Sequence, residues 1–304
     1  MNTLSSSPSS SSTRDARQRL VAAGAVAFTI VSRASAFPFI RIGLHGLTPL
    51  QLAAARFATA AVLALAWLAW RRPPKPSRGD ALRFLACGLL GIALYNALLN
   101  TGEQTVSAGA ASFIVNTLPI FTALLAAVFL HERFNRWGWL GSLVSLAGIA
   151  VIAHGQPGGL VLGSGSTLIL GAALCSASYF VLQRRLIPVY GALPCTAYTL
   201  LAGAVLLAPW LPGALAALGG GASHETVSAV LVLGIFPAAL GYAAWSFALG
   251  HFGAARASSF LYLTPAVATA MSMMLTGERP GIGTVGGGLL AIVGVVVVAL
   301  RGRA

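Results

Sequence analysis

Residues Ala111–Arg133 read ASFIVNTLPIFTALLAAVFLHER, and residues Ala257–Arg279 read ASSFLYLTPAVATAMSMMLTGER. A shift of 146 residues carries Ala108 to Ala254, Ser112 to Ser258, Pro119 to Pro265, and Glu132-Arg133 to Glu278-Arg279. The same shift carries Gly141 to Gly287 and Gly148 to Gly294. Apolar matches are common in so greasy a chain, but it holds only six acidic residues, and two fall in this register, each followed by Arg. The chain is therefore an internal repeat, and its fold must be read as one.

Each copy is about twenty apolar residues long, enough to cross a hydrocarbon core of roughly 30 Å as a helix. Each carries a proline near its middle. Inside a soluble helix a proline costs on the order of 3 kcal/mol. In a membrane it is tolerated where the helix faces protein or a watery cavity. Duplicated spans interrupted at matching positions point to a transporter's central site, with Pro119 and Pro265 as the helix breaks or hinges.

Composition agrees with a membrane protein. Of 304 residues, 57% are hydrophobic and 8% charged, with a mean hydropathy of +0.83, whereas soluble domains are roughly a quarter charged. The net charge of +13 sits at the ends of apolar runs rather than on one basic face, which argues against a nucleic-acid partner. Cys87, Cys175 and Cys195 have no metal-type spacing. No metal or cofactor is expected.

Residues 1–19 read as a disordered, serine-rich tail. Leu20–Ile40 follows as an uncleaved first span. Later spans are expected near 50–70, 82–100, 105–130, 137–153, 166–186, 192–210, 227–249, 254–276 and 282–300. The sequence thus predicts an all-α polytopic protein of ten transmembrane helices. One five-helix repeat occupies 20–154, an extracytoplasmic linker 155–165, and a second repeat 166–304. If both termini are cytoplasmic, that side holds fifteen Lys and Arg residues and the opposite side only Arg41 and Arg279, which sets the orientation by the positive-inside rule. An odd number of spans per copy then inverts the second copy.

Three stretches carry a family resemblance. SAFPFIRIGLHGLTPLQLAAARF (Ser35–Phe57) looks like a first-to-second-span signature, with Arg41, Pro49 and Arg56. SAGAASFIVNTLPIFTALLAAVFLHER followed by WGWLGSLVSLAGIAVIAHG looks like a fourth and fifth span. ALGYAAWSFALGHFGAARASSFLYLTPAVATAMSMMLTGERP looks like an eighth and ninth. Together, from about Ala25 to Gly302, the chain resembles the EamA-type, ten-helix branch of the drug/metabolite transporter superfamily. The resemblance implies export of a small polar metabolite, such as an amino acid, across a bacterial-type inner membrane. It does not specify the substrate. One departure stands out: Arg33 occupies a position where the family usually has Trp.

Arg33 has two readings: a cation on the substrate path, or one that snorkels outward on its long stem. Asn116, three residues before Pro119, is matched in the repeat by Tyr262, three before Pro265. Both are pathway candidates, against a reading as simple interhelix contacts. Tyr95, Asn96, Tyr179, Tyr242 and Trp245 are the other polar or aromatic groups near mid-membrane. They either wall an organic substrate or pack as core and interfacial belt. Arg56 reads as structural, paired with Glu103. Glu132, Arg133, Glu278 and Arg279 read as caps and gate-edge salt bridges.

No Asp or Glu lies near the centre of any expected span, so proton coupling has no visible carboxylate at mid-depth, which leaves Glu103 or a tyrosine as the groups that could take part. There is no phosphate-binding GxxxxGK[ST] and no HExxH or GxSxG, which argues against an ATPase or a membrane hydrolase. The reading is a non-enzymatic secondary transporter. Its rivals are a drug-efflux carrier and a non-transporting scaffold or lipid-handling subunit.

Overall fold

The apolar runs fold as helices in the computed structural model, which describes residues 9–118, 120–121, 124–125, 135–156, 161, 163–183, 185–245 and 263–301. In order these are α1 (Ser9–Gly43), α2 (Pro49–Arg71), α3 (Arg78–Gly102), α4 (Ala108–Val115) and α5 (Arg136–His154). Then come α6 (Gly165–Gln183), α7 (Ala192–Gly219), α8 (His224–Trp245), α9 (Thr264–Leu275) and α10 (Ile282–Arg301). Among the described residues there is no strand. Seven helices, α1 from Ala23 onward, α2, α3 and α5 to α8, are long and apolar enough to cross a membrane. Their outer faces expose Val62, Leu65, Leu143 and Val205, as lipid contact requires.

Helix α1 begins earlier than expected. Residues 9–19, read from sequence as part of a disordered tail, continue the helix through Ala16, Arg17, Gln18 and Arg19, good helix formers attached to a segment already held by packing. Helix α2 starts where the chain dictates. Pro49 occupies the first turn, and Thr48 and Gln51 form a reciprocal capping box that satisfies two otherwise orphaned N–H groups.

Helix α4 stops at Val115 with Asn116 as its cap; Val115 is the residue whose carbonyl a proline at 119 has no N–H to reach. Pro119 itself lies outside the described residues, as do Tyr262, Glu132 and Arg133. Pro265 opens α9 rather than kinking it, sitting in the first turn, where a missing N–H costs nothing.

Two π-helical turns interrupt longer helices: Leu89–Ala93 in α3 and Gly234–Leu240, containing Pro237, in α8. The 146-residue shift carries 89–93 onto 235–239. Such turns recur at functional sites because they leave a carbonyl free of its helical partner.

Helix α1 packs on α8 and α9, α2 on α7 and α8, α3 on α6 and α7, α4 on α6 and α9, and α5 on α10. Helices α5 and α10 run antiparallel. Asn135 before α5 donates to the Arg301 carbonyl (2.5 Å), while Gln156 beyond α5 donates to Thr284 near the start of α10 (3.4 Å). The seam is made of glycine. A Cβ on Gly148 would stand 2.5 Å from the Gly287 carbonyl, and one on Gly294 would strike the Gly141 carbonyl and Ser145. These two contacts are images of each other, because the repeat shift exchanges 141 for 287 and 148 for 294. Reciprocal contacts of this kind are what a two-fold axis produces.

Candidate functional site

Arg56 lies on α2 with 6% of its surface exposed. Its Nη1 donates to Oδ1 of Asn96 on α3 (3.2 Å), and its guanidinium carbon stands 4.9 Å from the Phe57 ring centroid. The Asn96 Nδ2 donates in turn to the Ile92 carbonyl in the π-helical turn (2.7 Å). The Arg56 Nε is buried with no partner, and among the described residues no carboxylate forms an ion pair with Arg56. A buried cation with no directly bonded carboxylate is costly, and this one is held in place by an amide and an aromatic face, with Glu103 within electrostatic range.

The sequence paired Arg56 with Glu103; the two lie within electrostatic range but form no direct ion pair. Helical depth follows from residue number, but azimuth does not, and the Arg56 guanidinium turns to Asn96 instead.

Tyr95, half-buried beside Asn96, lies within electrostatic range of Arg33, Arg56, Tyr242 and Glu103. Tyr179 on α6 is buried; its ring packs where a Cβ on Gly91 would stand (2.6 Å), and it lies within range of Tyr242. Arg33 on α1, Arg56 on α2, Tyr95 and Asn96 on α3, Tyr179 on α6 and Tyr242 on α8 are thus gathered from five helices. Trp245 is half-buried one turn beyond Tyr242.

Asn116 lies elsewhere. Its Nδ2 donates back to the Ser112 carbonyl (2.7 Å). With Phe113, Thr117, Ala291, Ile292 and Val295 it lines a cavity of about 10 Å³ between α4 and α10, about the room one water needs.

The end of the bundle at Arg41 carries a polar closure. The Arg41 Nε pairs with Glu278 Oε1 (3.1 Å), and its Nη1 donates to the Glu103 carbonyl (2.6 Å). Glu278 Oε2 accepts from the Ala108 N–H at the start of α4 (3.0 Å), where the helix dipole favours negative charge. Glu278 thus acts as a cap and an ion-pair partner together. Arg279 is exposed. Sequence reasoning missed Arg41 as the partner. The available signal was that the side so poor in charge held both this cation and Glu278.

The arrangement is that of a multi-pass helical membrane protein with a polar, cation-bearing centre and an ion-paired end. Comparison with known proteins makes the class specific. The model of the EamA-like transporter family matches twice, at residues 21–154 and 163–300. The chain belongs to this family.

It is 38% identical over 271 residues to "Uncharacterized transporter YdfC" of Bacillus subtilis (strain 168), covering 88% of this chain and 87% of that one. It is 36% identical over 281 residues to "Probable terminal-alkyne amino-acid exporter" of Streptantibioticus cattleyicolor, covering 91% and 93%. A solved crystal structure, 19% identical, superposes with a TM-score of 0.61 over 92% of this chain and 98% of that one, a likeness of fold alone.

Proposed function

We propose that the protein is a secondary transporter that exports a small polar metabolite bearing a carboxylate, such as an amino acid. Transport would cross a bacterial-type inner membrane by alternating access, with both termini cytoplasmic. The observation that carries this reading is Arg56: a buried guanidinium with an unused Nε, no ion-paired carboxylate among the described residues, and Tyr95, Asn96 and Tyr242 around it, with Arg33 within range of Tyr95. A carboxylate takes two parallel hydrogen bonds from such a group. Arg33, half-buried and within range of Tyr95, supports its path-facing reading over snorkelling. The name of the Streptantibioticus relative, 36% identical, supports the substrate class.

Two inverted five-helix halves supply the mechanism. Supporting this are the antiparallel α5 and α10, the exchanged glycine contacts across them, and the π-helical turns at matching positions. On this reading α4, α9 and α10 belong to the fourth, ninth and tenth spans. The test compares metabolites released by cells overproducing the protein with those released by cells lacking it, then repeats transport of the enriched compound in liposomes. Enrichment of carboxylate-bearing compounds supports the proposal. Enrichment of hydrophobic drugs instead points to an efflux carrier, and no transport in liposomes points to a scaffold.

A further inference from the structure

Glu103 is the least explained charged residue in the described chain. It follows α3 directly, outside the membrane-spanning segment, and is 0% exposed. Its backbone is fully engaged: its N–H donates to the Leu99 carbonyl (2.9 Å), and its carbonyl accepts from Arg41. Its carboxyl is not, since both oxygens are buried with no hydrogen-bond partner.

The chain on either side of it is packed tightly: Asn100 and Val106 are fully buried, and a Cβ on Gly102 would stand 2.5 Å from Ile169 Cγ1. An ionised carboxylate in such a place goes without both water and hydrogen bonds, a penalty that buried groups avoid by becoming neutral.

We propose that Glu103 is the proton-binding site of the gate formed by Arg41 and Glu278: it holds a proton while that end is closed and releases it to external water when the pair parts. This deepens the transport reading, on which the opening of that end rests. The charged and titratable groups within electrostatic range of the carboxyl are Arg41 from α1, Arg56 from α2, Tyr95 on α3 and Glu278 after α9.

Burial pushes the Glu103 carboxyl well above the usual range. Arg41 pulls it down, Glu278 pushes it up again, and Arg56 pulls it down. On opening, water replaces the dry wall, Arg41 is freed from Glu278, and the carboxylate form is favoured. The bond broken is O–H of Glu103; the proton leaves as hydronium, and one returns on closure. The closed state binds this proton more tightly, so closure is favoured as pH falls and opening as pH rises.

Infrared difference spectroscopy of the purified full-length protein in lipid, titrated from about pH 5 to about pH 9, the range into which buried carboxyls are shifted, tests this without needing a substrate. The wild type should lose one protonated-carboxyl C=O band on alkalinisation. Glu103→Gln, which imitates the neutral form and should fold, should lack that band, and Glu278→Gln should keep one. The same titrating band in Glu103→Gln, or none in the wild type, overturns the proposal. Either result leaves the transport reading standing, because the liposome assay measures that separately.

Discussion

Three consecutive glycines on α10 have three different surroundings, and alanine at each should report them. A Cβ on Gly286 meets nothing within 4 Å, so Gly286→Ala should be neutral or stabilise by up to about 1 kcal/mol through helix propensity. A Cβ on Gly287 would stand 2.7 Å from the Gly148 carbonyl and 3.0 Å from the Ile152 nitrogen. Carbon contacts settle at about 3.5–4.0 Å, so α5 and α10 would have to part by roughly 1 Å. Because the obstacle is backbone, no rotamer change relieves it. Overpacking of this kind costs about 1–3 kcal/mol, roughly 5- to 150-fold in the folded-to-unfolded ratio. A Cβ on Gly288 would strike the ring of Phe113, a side chain that is itself buried, and Gly288→Ala should fall between the two. The assay is unfolding of the purified protein by graded SDS, followed by tryptophan fluorescence. Gly148→Ala should repeat the Gly287→Ala result, and the double variant should cost less than the sum, since both methyl groups fill one gap. Equal effects at all three positions, or greatest damage at Gly286, would refute the antiparallel glycine seam.

Further outcomes follow from the polar groups. Arg56→Lys keeps the charge but loses the fork that a carboxylate needs, so export should fall at least about tenfold, or about 1.4 kcal/mol, at unchanged protein level; normal export would remove Arg56 from the site. Arg33→Trp should change which members of a substrate panel are exported while folding is retained, and an unchanged panel would return Arg33 to a snorkelling role. Glu278→Ala removes the Arg41 pair and the cap on α4, and should cost about 0.5–2 kcal/mol in the same SDS assay.

What the sequence made legible was whatever depends on position along a helix. The helical membrane class, the repeat and the matched glycines follow from runs, spacing and residue type. Helix rotation does not. Glu103 was therefore assigned to Arg56, although the guanidinium bonds to Asn96. Asn116 was grouped with the central candidates, although it lines a small cavity beside α10. The π-helical turn at Leu89–Ala93, LLGIA, carries no sequence mark, whereas Pro237 marks the one at Gly234–Leu240. The Arg41–Glu278 pair joins opposite halves of the chain, so no local pattern announces it. The helical start of α1 was missed because serine-rich composition outweighed the residues nearest the span.

The two kinds of contact joining the halves differ in what it takes to undo them, and this identifies which one moves. Along α5 and α10 the backbones touch through Gly148, Gly287, Gly141 and Gly294, so parting them exposes close-packed backbone. At the opposite kind of joint, Arg41 and Glu278 are partly exposed; water can solvate both as they separate, and exposed pairs are worth only about 0–1 kcal/mol. The glycine seam should therefore stay fixed while the ion-paired end opens. Cysteines at Gln156 and Thr284, bridged by a short thiol-to-thiol linker, tie the seam where it is already joined and should leave export intact. The same linker between cysteines at Arg41 and Glu278 should abolish export until it is cleaved. Loss of export from the first bridge, or full export with the second intact, would show that the moving joint has been misassigned.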